Sequence, residues 1–520
     1  MAASTSARDR RWLTLPILCL SVFLVVVDNT IVNVALPSLS KDLGASTSAL
    51  QWIVDAYSLA FAGLLLAGGG IGDRLGRKGV MQVGLVAFGI FSVLASMSHS
   101  TSSLITARAL MGIAAAFIFP ATLAILTNLF TDPSERQKAL GIWGATSGLA
   151  VAFGPITGGA LLQHFWYGSI FLVNVPIVIV TLIGGQILIP KLVHEREKRF
   201  DTRGVIISAI GVTALVLGII EGPQWGWTAA GTWGCFAIAI IFLVGFTFLE
   251  LRTEEPLLDV RVFKIPRFSS GALSISVAFF CLFGFIFLIT QYFQFVKGYS
   301  TLSAGVHTLP FAIVAAIFTP LGALFALKVG SRLIVGLGLL FMAAGLVTAA
   351  FTATPTANFW TVILASQILL ALGLSLVTAP ATEAVMGSLR PEQVGAGAAV
   401  NNTTRELGGT LGVAVFGSVF ASAYAPKIAA TFNQYPIPAQ YKTASQQSVA
   451  AALNVAAHSP ASVQGILQDA AYNAFTAGLK VSCLAGMAVA IVGSIAAFSF
   501  LPGRSEAHGT VGEMLSAESG

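Results

Sequence analysis

About fourteen long apolar runs, separated by short charged segments, dominate this chain. They lie near residues 13–37, 50–68, 79–97, 103–129, 139–162, 170–190, 204–220, 231–250, 268–293, 303–327, 332–352, 359–383, 395–423 and 478–501. A helix crossing a bilayer needs about 20 apolar residues. In lipid, every backbone donor and acceptor must also be satisfied within the protein. The pattern predicts an all-α integral membrane protein with about fourteen transmembrane helices.

Composition agrees and narrows the function classes. Hydrophobic residues make up 56% of the chain and charged residues only 10%, against about 25% charged in soluble domains. The net charge of +6 invites a nucleic-acid reading. The positive residues are scattered through short loops, however, so they read as topology and no nucleic-acid partner is expected. The four cysteines, Cys19, Cys235, Cys281 and Cys483, all sit inside apolar runs. They have no metal-ligand spacing and read as small core or lipid-facing residues. The six histidines are dispersed. No metal cluster, nucleophile elbow or phosphate loop stands out, so an enzyme is not expected, no catalytic residue or metal is assigned, and no cofactor is called beyond a proton gradient.

Arg8, Arg10 and Arg11 before Leu13–Val27 have the look of a signal peptide. No A-x-A site follows, and the run continues through Asp28-Asn29-Thr30-Ile-Val-Asn33-Val-Ala-Leu36-Pro37. A retained first span is expected. With the N-terminus placed inside, 21 of the 28 Lys and Arg fall in inside segments and 5 outside; Arg108 and Arg405 lie within spans. Cytoplasmic loops concentrate Lys and Arg, so both termini are expected in the cytoplasm.

Charged segments at Lys191–Arg203 and Glu250–Arg267 flank the seventh and eighth spans. The expected order is a cytoplasmic 1–12, a six-helix bundle over 13–190, two linker helices within 191–267, a second six-helix bundle over 268–501, and a cytoplasmic 502–520. Within the second bundle, 424–477 is Ala-, Gln- and Ser-rich. It reads equally as a helical external hairpin or as a disordered loop.

Between the second and third runs lies Gly69-Gly-Ile-Gly-Asp73-Arg74-Leu-Gly76-Arg77-Lys78. It is expected to be a tight cytoplasmic turn, with glycines allowing the backbone to reverse. Asp73 is placed there to accept from a neighbouring helix end or an Arg.

Charges inside the spans carry the chemistry. An ionisable residue at mid-membrane costs roughly 2.5–3.5 kcal/mol on insertion scales, and such residues face cavities, pair, or move protons. Asp28 lies about two-thirds along the first span, with Asn29 and Asn33 beside it. Asp55 lies in the second, Arg108 early in the fourth, and Arg405–Glu406 in the thirteenth. A carboxyl in a low-dielectric cavity can hold either a proton or a cationic substrate. That competition is the core of proton-driven export. Asp28 is the first candidate for such a site and Asp55 the second. Each has a plainer alternative: Asp28 as a structural acid paired to an Arg, Asp55 as a hydrated interfacial acid. Arg108 is a candidate counter-charge or a helix-end packing residue. Arg405 and Glu406 read most simply as a self-compensated polar step, although Glu406 remains a coupling candidate. Gln291, Asn401 and Arg405 are further polar cavity candidates. Glu383 is expected to pair with a loop cation such as Arg390. In the fifth run, Ala150-Val-Ala-Phe-Gly154-Pro155-Ile-Thr-Gly158-Gly159 supplies small residues for close helix approach and a proline for a bend.

These motifs resemble the major facilitator superfamily. The Gly69–Lys78 segment is similar to its loop between helices 2 and 3, and Gly154–Gly159 resembles its antiporter motif, with Ala150 where a glycine is usual. Asp28–Pro37, Leu104-x-x-x-Arg108-x-x-Met111-Gly112, Phe171-Leu-Val-Asn174-Val-Pro176, and Gln291-Tyr292-x-Gln294 with Gly298–Gly305 resemble the fourteen-span drug:H+ antiporters. In that group the helix 4 Arg is linked to proton transfer. Gln51-Trp52-Ile-Val-Asp55-Ala-Tyr57-Ser looks like the QacA type of quaternary-ammonium and dye exporters. The extra acids of that type are missing: Leu309–Ala315 and Val400–Glu406 carry Ala and Asn there. The resemblance implies a proton-coupled antiporter, monomeric and in contact with membrane lipid. It would export small hydrophobic, monovalent cationic drugs or dyes. An exporter of an endogenous lipid, siderophore or secondary metabolite is the alternative. A non-transporting sensor is a third reading, weakened by the lack of an appended soluble domain.

Overall fold

Apolar length alone dictates most of the architecture. The structure, a computed structural model, describes residues 2–190, 201–253, 260–389 and 394–501, and no strand occurs among them. The first helices are α1 (Ala2–Asp42), α2 (Thr47–Leu75), α3 (Arg77–Ser96), α4 (Thr101–Leu129) and α5 (Pro133–His164). A short α6 (Ser169–Leu172) leads into α7 (Asn174–Leu188), followed by the pair α8 (Thr202–Trp225) and α9 (Ala230–Arg252). Next come α10 (Pro266–Gln291), a π-helical turn at Tyr292–Val296, α11 (Thr301–Val306), α12 (Leu309–Val329) and α13 (Ser331–Thr352). The last helices are α14 (Leu364–Met386), α15 (Val394–Phe432), α16 (Ala439–Gln447), α17 (Val449–Ala457) and α18 (Ala461–Phe500). Among the described residues, fourteen stretches are long and apolar enough to cross a membrane, matching the count read from the sequence.

The chain divides into two compact units. The first holds 1–257 with 289–308 and 425–471, and the second holds 258–288, 309–424 and 472–520. In the first, α8 docks on α2 through Glu221, which accepts from Trp52 Nε1 at 3.0 Å, and through Gln224, which donates to Ser48 at 2.6 Å. Much of α9 faces outward, with Trp233, Ile240, Ile241 and Phe248 exposed, as expected of a face that meets lipid. The 424–477 segment is helical. Ser448 bonds Ser40 at 3.1 Å, and Thr47 donates to the Gln447 carbonyl at 3.1 Å. Outside the spans, Tyr167 donates to the Ser98 carbonyl. Burial, and then the negative charge of Asp42, push its phenol above the usual range.

The glycine-rich turn is tighter than expected. Helix α2 runs straight through Gly69–Leu75, and Gly76 alone turns the chain, at φ +101°. A left-handed backbone there is open to glycine and strained for other residues. In the second unit, Gly330 makes the same kind of corner between α12 and α13, at φ +95°. The two corners share one backbone geometry.

Candidate functional site

The first unit gathers one polar cluster in an apolar interior. Asp28 on α1 and Arg108 on α4 are both fully buried, and Arg108 Nη1 donates to Asp28 Oδ2 at 2.5 Å. The start of α4 is fixed by a Ser100–Ser103 capping box, which sets Arg108 about two turns in. Its Nε donates to the Ile53 carbonyl of α2 at 3.1 Å, and its guanidinium lies 4.2 Å from the Tyr57 ring centre. Tyr57 in turn donates to the Val25 carbonyl at 3.1 Å. Asn174, at the start of α7, donates through Nδ2 to Asp28 Oδ1 at 2.7 Å and to Ser92 Oγ of α3 at 3.0 Å. Five helices, α1, α2, α3, α4 and α7, therefore meet in one network around the Asp28 carboxylate. Of the alternatives open for Asp28 and Arg108, the geometry brings the two together as an ion pair.

The cluster is incompletely satisfied. Arg108 Nη2 and Asn174 Oδ1 are buried without a hydrogen bond, as are the side-chain oxygens of Asn29 and Asn33. The Asn33 amide reaches only the Asn29 and Thr30 carbonyls of its own helix, at 3.4 Å. Buried polar atoms are normally paired, and each exception calls for a reason. A site that must exchange partners is one.

Asp55 is not part of the ion pair. It is fully buried on α2, and both of its carboxylate oxygens lack a hydrogen-bond partner. The hydrated interfacial setting expected as its alternative is therefore not what surrounds it here. An isolated buried carboxylate is among the costliest groups to desolvate. Gln291, buried at the end of α10, belongs to the same unit, and Gln294 donates to the Val34 carbonyl of α1 at 2.8 Å.

The motif residues staple helices together. Arg77 donates to the Ala124 carbonyl of α4 at 3.1 Å, and Lys78 donates to the Gln186 and Ile189 carbonyls at the end of α7, at 2.9 and 2.7 Å. Cations at helix C-termini satisfy free carbonyls and the dipole. Arg74 is exposed; the side chain of Asp73 lies outside the described residues. On α5, a side chain at Gly154 would strike Thr30 Oγ1, and one at Gly158 would strike Ile31 of α1. Gly159 lies directly on the backbone of Thr301–Leu302, and Thr301 Oγ1 donates to its carbonyl at 3.0 Å. Gly305 of α11 meets the Pro155 carbonyl.

The second unit holds the remaining charged candidates. Arg405 and Glu406 form no ion pair among the described residues. Arg405 stacks 4.5 Å from the Phe279 ring centre, and its charge still acts on Glu406 beside it. Glu383 pairs with Arg267 at 3.0 Å; Arg390 lies outside the described residues. Asn401 accepts weakly from Thr382 Oγ1 at 3.4 Å.

A groove of about 600 Å³ runs between α3 and α7, lined by Val83, Val86, Ile90, Phe91 and Leu182, with Gln82 bonded to Gln186 at 2.8 Å. It is apolar and open, and holds none of the candidate acids. No group of three or more His, Cys, Asp or Glu suited to a metal occurs among the described residues. Sequence reasoning missed Asn174 and Ser92 as site residues. The available signal was a polar residue, Asn174, opening an otherwise apolar run.

Comparison with known proteins adds the wider context. Residues 18–413 match the family model described as Major Facilitator Superfamily. The chain is 34% identical to the multidrug efflux pump LfrA of Mycolicibacterium smegmatis, covering 96% of this chain and 98% of that protein. It is 35% identical to the puromycin resistance protein pur8 of Streptomyces alboniger, over 82% and 85% of the two chains. The methyl viologen resistance protein SmvA of Salmonella typhimurium is 34% identical, over 90% and 93%. A solved structure of a bacterial homologue of the human lysosomal transporter Spinster, inward-facing and unoccupied, superposes with a TM-score of 0.66 at 17% identity, over 94% and 96%.

Proposed function

The chain belongs to the major facilitator superfamily, and on that footing we propose that it is a proton-coupled antiporter exporting hydrophobic, monovalent cationic drugs and dyes. Its relatives carry efflux and resistance names over nearly their whole lengths, which favours drug export over export of an endogenous metabolite. The setting is the bacterial inner membrane, with both termini cytoplasmic and a monomer in lipid as the working unit. Two six-span bundles, 13–190 and 268–501, would be joined by linker spans in 191–267.

The observation that carries the reading is the unequal treatment of two buried acids. Asp28 is held by Arg108, whereas Asp55 has no partner. In this scheme the Asp28 carboxylate takes up and releases the transported proton, parting from Arg108 as it does. A cationic substrate competes for the Asp28 carboxylate, and Arg108 is released to interact elsewhere. Because neither acid has solvent exposure here, exchange requires the bundle to open, which is how alternating access couples binding to movement. The glycine contacts of α5 with α1 and α11 would be the sliding surfaces.

The test is ethidium efflux from proteoliposomes under an imposed pH gradient. Wild type is expected to export only with the gradient, and Asp28→Asn to abolish gradient-driven export. Full export by Asp28→Asn would move coupling to Asp55 or Glu406. No export by the wild type would overturn the drug-export reading.

A further inference from the structure

The two oxygens of the Asp28 carboxylate sit in different surroundings. Oδ2 takes a charge-assisted bond from Arg108 Nη1 at 2.5 Å. Oδ1 takes a neutral amide bond from Asn174 Nδ2 at 2.7 Å. The second amide hydrogen of Asn174 goes to Ser92 Oγ at 3.0 Å, leaving Asn174 Oδ1 a buried acceptor with no donor.

Proton uptake turns one carboxylate oxygen from acceptor into donor. A proton on Oδ2 would point at a guanidinium, which has no lone pair to receive it. A proton on Oδ1 finds Asn174. Rotating that amide by half a turn exchanges Nδ2 for Oδ1 with almost no change of shape. The freed acceptor then receives the Asp28 O–H. Ser92 can follow, because a hydroxyl donates as readily as it accepts.

We infer that Asn174, oriented by Ser92, is a positioning residue that directs proton uptake to Asp28 Oδ1 and hydrogen-bonds both forms of that carboxyl. The inference rests on the reading of Asp28 as a proton-exchanging group. The proton arrives from water on whichever side the site has opened. One O–H bond forms on Oδ1 and the negative charge is neutralised; release reverses the step. The ionisable groups facing the carboxyl are Arg108 from α4 and, beneath the guanidinium, Tyr57 from α2. Asp55 on α2 makes no bond to it. Helices α3 and α7 contribute only Ser92 and Asn174, and α5 meets α1 here through glycines.

The test is pH-jump infrared difference spectroscopy on the reconstituted full-length protein, alongside the pH profile of ethidium efflux. The carboxylic C=O band removed by Asp28→Asn reports the protonated acid. In Asn174→Leu that band is expected at higher wavenumber, having lost its hydrogen bond. The acid limb of the efflux profile should move up by about one pH unit, because the bond lost by the charged form is roughly twice as strong as the one lost by the neutral form. Ser92→Ala should move both in the same direction by less, and it decides the matter if Asn174→Leu does not fold. An unmoved band and profile in a folded Asn174→Leu, or in Ser92→Ala, would overturn the inference while leaving Asp28 as the proton site. The absence of any band removed by Asp28→Asn would overturn that reading and this one together.

Discussion

Arg108 donates to Asp28 across 2.5 Å with both side chains withdrawn from solvent, joining residues 80 positions apart in the chain. The pair has no water to fall back on. Removing one partner from a buried ion pair costs about 3–5 kcal/mol, whereas removing both is often nearly neutral.

An asymmetry follows. Arg cannot give up its charge, but an acid can take a proton. Asp28→Asn should therefore lower thermal stability in detergent more than Arg108→Gln does. The double substitution should recover most of the loss while remaining inactive in transport. Additive losses, read by tryptophan fluorescence on heating, would mean the two side chains do not share one interaction.

Asp55 should behave in the opposite way. Its carboxyl is buried without a partner, so Asp55→Leu removes an unsatisfied group of similar size. A gain of about 1–3 kcal/mol is expected, together with loss of proton-coupled dye efflux. A destabilised Asp55→Leu would reveal a partner that this conformation does not show.

The corner at Gly76 can be weighed against Gly69. Gly76 has φ +101°, so Gly76→Ala should cost about 1–2 kcal/mol in strain. Gly69 lies inside α2, with its nearest neighbour, Pro120 Cβ, at 3.8 Å. Gly69→Ala should be neutral or stabilise by up to about 1 kcal/mol. Equal effects at the two positions would put the turn elsewhere.

Contact between α5 and α11 predicts a steric switch. Gly159→Val drives a side chain into the Thr301–Leu302 backbone and should abolish transport in protein that still reaches the membrane. Gly144, on the same helix, has nothing within 4 Å, so Gly144→Ala should transport like wild type. Normal efflux by Gly159→Val would show that this contact is not needed at any step.

Arg405 and Phe279 form a second testable pair. Both residues are half-buried, and a cation–π contact there is worth about 0.5–2 kcal/mol. Phe279→Leu and Arg405→Gln should each destabilise, and the double substitution by less than their sum. The coupling should persist in Glu406→Gln, because the stack on Phe279 needs no ion pair with Glu406.

The fourteen spans were legible because bilayer thickness writes itself into apolar run length, and hydrogen-bonding necessity makes each run a helix. The positions of Asp28, Asp55 and Arg108 within those runs were legible too, since a charge inside an apolar run is conspicuous. Less was readable where neighbours decide. Adjacency suggested that Arg405 and Glu406 compensate each other, but nothing local to the chain showed that Arg405 also stacks on Phe279. Ten glycine-punctuated residues suggested a loop, yet helix–helix packing keeps all but the Gly76 corner helical. Sequence by itself determined the helices, their number and which of them carry charge, because those follow from local exchange between water and lipid. Only the tertiary structure decided that Arg108 meets Asp28, that Asn174 and Ser92 complete its shell, and that Asp55 is left alone. Those outcomes depend on which faces of α1, α2, α3, α4 and α7 pack together across long stretches of chain, and no local pattern of residues encodes that.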